Sequence, residues 1–214
     1  GSTWTKKSRG QGINGRINSI FGTSAKDLIA VGNNGLLMTS TGAGDWTVAS
    51  GTGSNSFSKV WGLAANDLWA IDSNGYACRW NGTACTQTYV GGVNYLSIWG
   101  TSNTNIFACG SSSSVARFDG TNWLTASAGI SYPLNDLWGS SSSSVWVVGS
   151  NGRTSRWNGT AWTQSAATAP GARDDVSLVF DSARSVGVLF GGRDISNSRV
   201  FADTWEWNGS AWAS

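Results

Sequence analysis

Residues 156–165 read RWNGTAWTQS, and near-copies of the phrase stand at three other places. RWNGTACTQT occupies 79–88, RFDGTNWLTA 117–126 and EWNGSAWAS 206–214. A phrase that returns at a fixed spacing marks a repeat architecture, whose units bury their apolar faces against their neighbours. The flanking sequence repeats too. INSIFGTSAKDLIAVGNNGLLMTSTGAGDWT from Ile17, SKVWGLAANDLWAIDSNGYACRWNGTACT from Ser58, LSIWGTSNTNIFACGSSSSVARFDGTNWL from Leu96 and NDLWGSSSSSVWVVGSNGRTSRWNGTAWT from Asn135 superpose almost without gaps. A fifth segment, from Val176, follows the same plan with a longer middle loop.

The columns define the strands. Phe21, Trp61, Trp99, Trp138 and Phe180 share one position; Trp46, Cys85, Trp123, Trp162 and Trp212 share another, at steps of 39, 38, 39 and 50 residues. Each repeat reads as four short strands. The first ends at Phe/Trp-Gly, the second is an apolar run such as DLWAI, the third carries R-W and the fourth carries the last Trp. Asn-Gly or Asp-Gly between the third and fourth predicts a tight hairpin with both central residues at positive φ. The second strand is apolar on both faces, Leu68 and Ala70 on one and Trp69 and Ile71 on the other, so it must be covered on both sides. Radially repeated four-stranded sheets achieve that. The expected fold is all-β: a five-bladed β-propeller of four-stranded antiparallel blades, one domain over residues 1–214, with blades at about 16–50, 57–90, 94–127, 133–166 and 174–214. Ser2-Thr3-Trp4-Thr5 reads as a further fourth strand, 42 residues before Trp46. Residues 2–8 are therefore expected as a surplus outer strand, used in closure or exchanged with a neighbouring molecule. The other reading of that excess is a fragment of a longer propeller or of a multi-chain ring.

The first four repeats resemble the Trp-rich β-propeller repeats of uncharacterised secreted bacterial proteins, with the pattern W-G-x-S-x-x-D-x-W-x-V-G-x-x-G-x-x-x-R-W-N-G-x-x-W. The last resembles a kelch repeat through Ala172-Arg173, Phe180-Asp181, Leu189-Phe190-Gly191-Gly192 and Asp203-Thr204-Trp205-Glu206-Trp207, and its 50-residue step agrees with kelch length. The resemblance covers nearly the whole chain. It implies a propeller in an extracellular or periplasmic bacterial setting and names no ligand, because propellers host many unrelated activities.

Composition narrows the function. Charged residues make up 12% of the chain and the net charge is +2, so there is no basic stripe for nucleic acid. No apolar run is long enough for a membrane span. Histidine is absent, which removes Ser/His/Asp and Cys/His nucleophile systems, histidine metal sites and the commonest general base. The only glutamate is Glu206. The adjacent Asp174 and Asp175 could in principle serve glycoside hydrolysis, but such pairs before a strand are usually turn formers. No metal, cofactor or enzymatic activity is expected. Cys78 and Cys85 flank one hairpin turn; a disulfide there is conceivable, but two buried thiols are the simpler reading.

Every tryptophan falls on the strand template, which makes inter-blade packing its simplest role. Binding is expected on loops, where the repeats diverge. The candidate residues are the loop aromatics Tyr89, Tyr95 and Tyr132, with Phe57 beside them, and the loop charges Arg173, Asp174, Asp175, Arg193 and Asp194. The expected function is non-catalytic binding of a glycan or a protein, on the loop-rich face or in pockets between blades. The alternative is a structural module that forms homo-oligomers through its terminal strands, and a glycoside-active enzyme stands third.

Overall fold

The computed structural model describes residues 15–42, 46–49, 52–165, 170–171, 173, 176–181, 183–194, 198–209 and 211–214. The repeats become five four-stranded antiparallel sheets, the blades of a five-bladed β-propeller. Blade 1 holds β1 (Ile17–Ser24), β2 (Asp27–Gly32), β3 (Leu37–Ser40) and β4 (Thr47–Val48). Blade 2 holds β5 (Phe57–Ala64), β6 (Asp67–Asp72), β7 (Tyr76–Trp80) and β8 (Cys85–Tyr89). Blade 3 holds β9 (Tyr95–Ser102), β10 (Asn105–Gly110), β11 (Ser114–Phe118) and β12 (Trp123–Ser127). Blade 4 holds β13 (Leu134–Ser141), β14 (Ser144–Gly149), β15 (Arg153–Trp157) and β16 (Trp162–Gln164). In blade 5, β17 (Ser177–Asp181) and β18 (Val186–Phe190) pair with β21 (Thr204–Trp207) and β22 (Trp212–Ala213); a small hairpin, β19 (Arg193–Asp194) and β20 (Arg199–Val200), fills the longer loop. The chain divides into two compact units, Gly1–Gly92 with blades 1 and 2 and Val93–Ser214 with the other three.

The second strands β6 and β10 are buried almost end to end, as their two apolar faces require, whereas β18 of blade 5 is mostly half-buried. In the first unit Ile29, Val31, Phe57, Leu68 and Trp80 pack together between blades 1 and 2. In the second, Phe107, Cys109, Leu137, Val145 and Trp157 pack between blades 3 and 4. The Asp136 carboxylate ties the first strands of the second unit: it accepts from the Ser97 hydroxyl of blade 3 and, at 3.4 Å, from the Leu178 amide of blade 5.

The ladder shows one break in the repeat. Gly22, Gly62, Gly100 and Gly139 pair with Leu28, Leu68, Ile106 and Val145, which pair in turn with Ser40, Trp80, Phe118 and Trp157. The matching row of blade 5 is Phe180, Gly187, Trp207. Phe180 thus stands one residue past the Trp138 column to which the sequence assigns it, and Val179 holds that column. The bulk has moved from the second strand to the first.

Three local expectations are corrected. The Asn-Gly turns between third and fourth strands are four-residue loops, not two-residue turns. Asn81 and Ala84 close the loop, Gly82 alone has positive φ, and Asn81 Oδ1 caps the amides of Thr83 and Ala84 at 3.0 and 2.9 Å. The side-chain cap replaces the second left-handed residue. The turn with both residues left-handed occurs between second and third strands, at Asn34-Gly35 and Asn151-Gly152. Cys78 and Cys85 form a disulfide rather than two thiols, because the β7–β8 hairpin brings their Cα atoms to 5.5 Å. Cys109 is buried in the core of the second unit. Phe57 is a core residue of β5, not a loop aromatic.

Candidate functional site

The broken row opens a cleft between blades 4 and 5. At the junction of blades 3 and 4 the space is filled: Phe107 meets Trp157 and Trp162 edge-on at 6.2 and 6.3 Å, over a fully buried Val145. The Trp99 ring lies so close to Gly139 that a Cβ there would meet it at 2.6 Å. At the next junction Phe180 occupies the glycine position and stacks flat on Trp138, with centroids at 4.0 Å and planes at 10°. Gly187 stands where Val145 stood. A Cβ on it would meet only Trp207 Cβ at 3.6 Å and Leu178 Cδ1 at 3.9 Å, which is ordinary contact. The unfilled space is a cavity of about 240 Å³ walled by Trp138, Trp146, Phe180, Trp207 and Trp212. A shallow polar shelf of Asn158, Thr163, Gln164 and Ser165 adjoins it across Trp146 and Arg156.

The walls carry unsatisfied donors. Trp157 Nε1 donates to the Ser142 carbonyl at 3.1 Å. Trp207, its counterpart in blade 5, is 6% exposed and its Nε1 has no partner among the described residues; the same holds for Trp212 Nε1. Trp80 Nε1 is also without a partner among the described residues, but it lies in a packed junction. A buried donor left unmade costs about 1–3 kcal/mol, and because the Trp207 and Trp212 nitrogens are both closed to solvent an acceptor in the cleft reaches them only if the rings turn. At the rim, the Arg156 guanidinium lies over Trp146 at 5.4 Å.

The residues named from the sequence lie elsewhere. Tyr95 is 2% exposed, a core side chain of β9 that contributes no surface. Arg173 is 4% exposed and is a structural cation, not a loop charge. Its guanidinium reaches the Asp203 carboxylate at 2.5 and 3.2 Å and the carbonyls of Gly171 and Gly191 at 3.1 Å, and it lies over Phe201 at 3.9 Å. That guanidinium, helped by the Trp205 indole, holds the Asp203 carboxyl at about 2, against an ordinary 3.8. Tyr89 and Tyr132 are exposed, Tyr89 with its ring edge-on to Tyr76 at 5.2 Å. Arg193 and Asp194 form β19 and pair with Val200 and Arg199. Asp174 and Asp175 lie outside the described residues. The expectation of pockets between blades named no residues, and none of the candidates above lines this cleft; the Phe180–Gly187 row that forms it emerges only from the strand pairing.

The cleft is suited to binding. Its polar lining is hydroxyls and one guanidinium, with no carboxylate among the described residues. Asp181 and Glu206, on the same blade, are both engaged by Arg184 at 2.6 and 2.5 Å, which keeps the Asp181 carboxyl below its usual range. Among the described residues no group of three His, Cys, Asp or Glu side chains converges as a metal site, and no helix is long and apolar enough to cross a membrane.

No family model and no curated protein matches the chain. Solved structures do. The chain is similar to YCF48 bound to D1 peptide, at 14% identity and a TM-score of 0.63, over 92% of this chain and 81% of that one. It is similar to U3-55K at 12% identity and a TM-score of 0.74, over 94% of this chain and 64% of that one. It is also similar to the computationally designed Ika8 protein, at 11% identity and a TM-score of 0.68, over 94% and 61%. The chain spans just under two thirds of the last two. At these identities the likeness is one of fold.

Proposed function

We propose that this chain is a non-catalytic protein-binding module that receives an apolar or aromatic side chain of a peptide segment in the cleft between blades 4 and 5. The observation that carries the reading is the aromatic cavity walled by Trp138, Trp146, Phe180, Trp207 and Trp212. Aromatic walls supply contact area for an apolar or aromatic side chain. The peptide seen with the similarly folded YCF48 supports the same class of partner. A repeated glycan site would call for matching pockets between blades, whereas side chains fill the junction of blades 3 and 4. The Cys78–Cys85 disulfide favours the extracellular or periplasmic setting.

The test is a titration of the ¹⁵N-labelled chain with N-acetyl-phenylalaninamide and, separately, with a cello-oligosaccharide. The amide is expected to shift the indole signals of Trp207 and Trp212. Gly187→Val, which places in blade 5 the side chain that Val145 supplies to blade 4, is expected to abolish that shift while the fold survives. Indole shifts with the oligosaccharide alone would replace the peptide by a glycan.

A further inference from the structure

Three Trp-rich blades, with R-W at 79–80 and 156–157 and R-F at 117–118, place an arginine over an aromatic ring of the second strand. Arg79 lies over Trp69 at 5.6 Å, Arg117 over Phe107 at 5.7 Å and Arg156 over Trp146 at 5.4 Å. The residue that opens the second strand supplies each arginine with an acceptor. In blade 2 it is Asp67, whose carboxylate takes Nε and Nη2 of Arg79 at 3.3 Å. In blade 3 it is Asn105, whose amide oxygen takes Nε of Arg117 at 3.0 Å, while that guanidinium also reaches across to Trp157 at 5.6 Å. In blade 4 the position is Ser144, and Arg156 keeps only a hydroxyl at 3.5 Å. Arg156 is exposed, borders the aromatic cleft and makes no ion pair among the described residues.

From this series we infer that Arg156 is a specificity residue for a carboxylate on the ligand, so that the partner is a peptide with a carboxylate next to its apolar anchor. The inference rests on the cleft reading above and adds the charge. Blade 2 displays the filled form of the arrangement: the ligand carboxylate takes the place on Arg156 that Asp67 holds on Arg79. A guanidinium on an aromatic face is already oriented for a planar, two-oxygen acceptor. The carboxylate could come from a chain end or from an acidic side chain, and both present the same chemistry to Arg156.

The experiment compares N-acetyl-phenylalanine, its amide and N-acetyl-aspartyl-phenylalaninamide on the full chain, with the indole signals as the readout. The free acid, the aspartyl amide, or both are expected to bind about fivefold tighter than the neutral amide, as a partly exposed ion pair allows. The tighter of the two identifies chain end or side chain as the source. Arg156→Gln should bring the affinity ratio of acid to neutral amide to about one, whatever it does to the amide itself. Ser144→Asp should do the same by giving Arg156 an internal partner like that of Arg79. Equal binding of all three ligands, or an advantage that survives both variants, overturns the role of Arg156 while the cleft stands. No indole shift with any ligand overturns the cleft reading and this inference with it.

Discussion

A buried arginine has to be matched by its surroundings, and in blade 5 the match is complete. Arg173 holds two carbonyls and both oxygens of Asp203, so it clamps the start of the blade to the far side of the long loop. Asp203 titrates lower in the folded chain, at about 2, than the ordinary 3.8. A depressed carboxyl contributes stability that is complete above its unfolded value and is lost as pH falls through its folded value. The window is therefore about pH 4 down to 2. The Asp203 side chain is 40% exposed, so solvent screens part of the effect. Asp203→Asn is expected to lower stability by about 1–2 kcal/mol at neutral pH, through the charge-assisted bonds it removes. Urea unfolding of both proteins at several pH values should show the gap closing between about pH 4 and 2; a gap independent of pH would remove the clamp from the account. Nothing local announces this pair, because its members are 30 residues apart. That is why Arg173 reads as a loop charge in the sequence. Tyr95 misleads for a related reason: it opens β9 and points inward, while the sequence around it looks like loop.

The hairpins joining third and fourth strands were legible as turns, but not in kind. One dipeptide serves two geometries here. Asn151-Gly152 takes the left-handed pair, whereas Asn158-Gly159 leaves only the glycine at positive φ and spends the Asn158 side chain on the amides of Thr160 and Ala161, both at 2.9 Å. Loop length decides: the strand partners Trp157 and Trp162 leave four residues between them, so two amides face inward and need an acceptor. Blade 3 uses Asp119 in the same role, and its bonds to the Asn122 and Thr121 amides lower that carboxyl from its ordinary value. Asn158→Ala should therefore cost about 1 kcal/mol, the usual worth of a side-chain cap, and Asn158→Asp should restore most of it at neutral pH. Denaturation midpoints of the three proteins check this, and an alanine variant as stable as the parent would show the cap to be idle.

Repetition made the blades readable across the whole molecule, and departure from repetition makes the candidate site. Trp columns locate each sheet, and Asn-Gly or Asp-Gly phrases four of them, because every blade solves the same packing problem. The cleft exists where blade 5 answers it differently, with Phe180 and Gly187 in place of glycine and a bulky aliphatic residue. That exchange is visible in SLVFDSARSVGVLF only once pairing fixes the row, since the spacing alone puts Phe180 in the Trp column. The same whole-molecule view separates binding from assembly. Among the described residues β4, β8, β12, β16 and β22 each end their sheets, and each has one edge without a pairing strand. Open edges are templates for another chain, but short ones are poor templates, and β4 and β22 span two residues each. For a binding module, light scattering should give the 22.4 kDa monomer for the chain, and a correspondingly small decrease for a version without residues 2–8. The truncated form should keep its indole shifts with N-acetyl-phenylalaninamide. A larger particle that falls to monomer on truncation would instead make strand exchange the primary activity, with the cleft as an accessory to assembly.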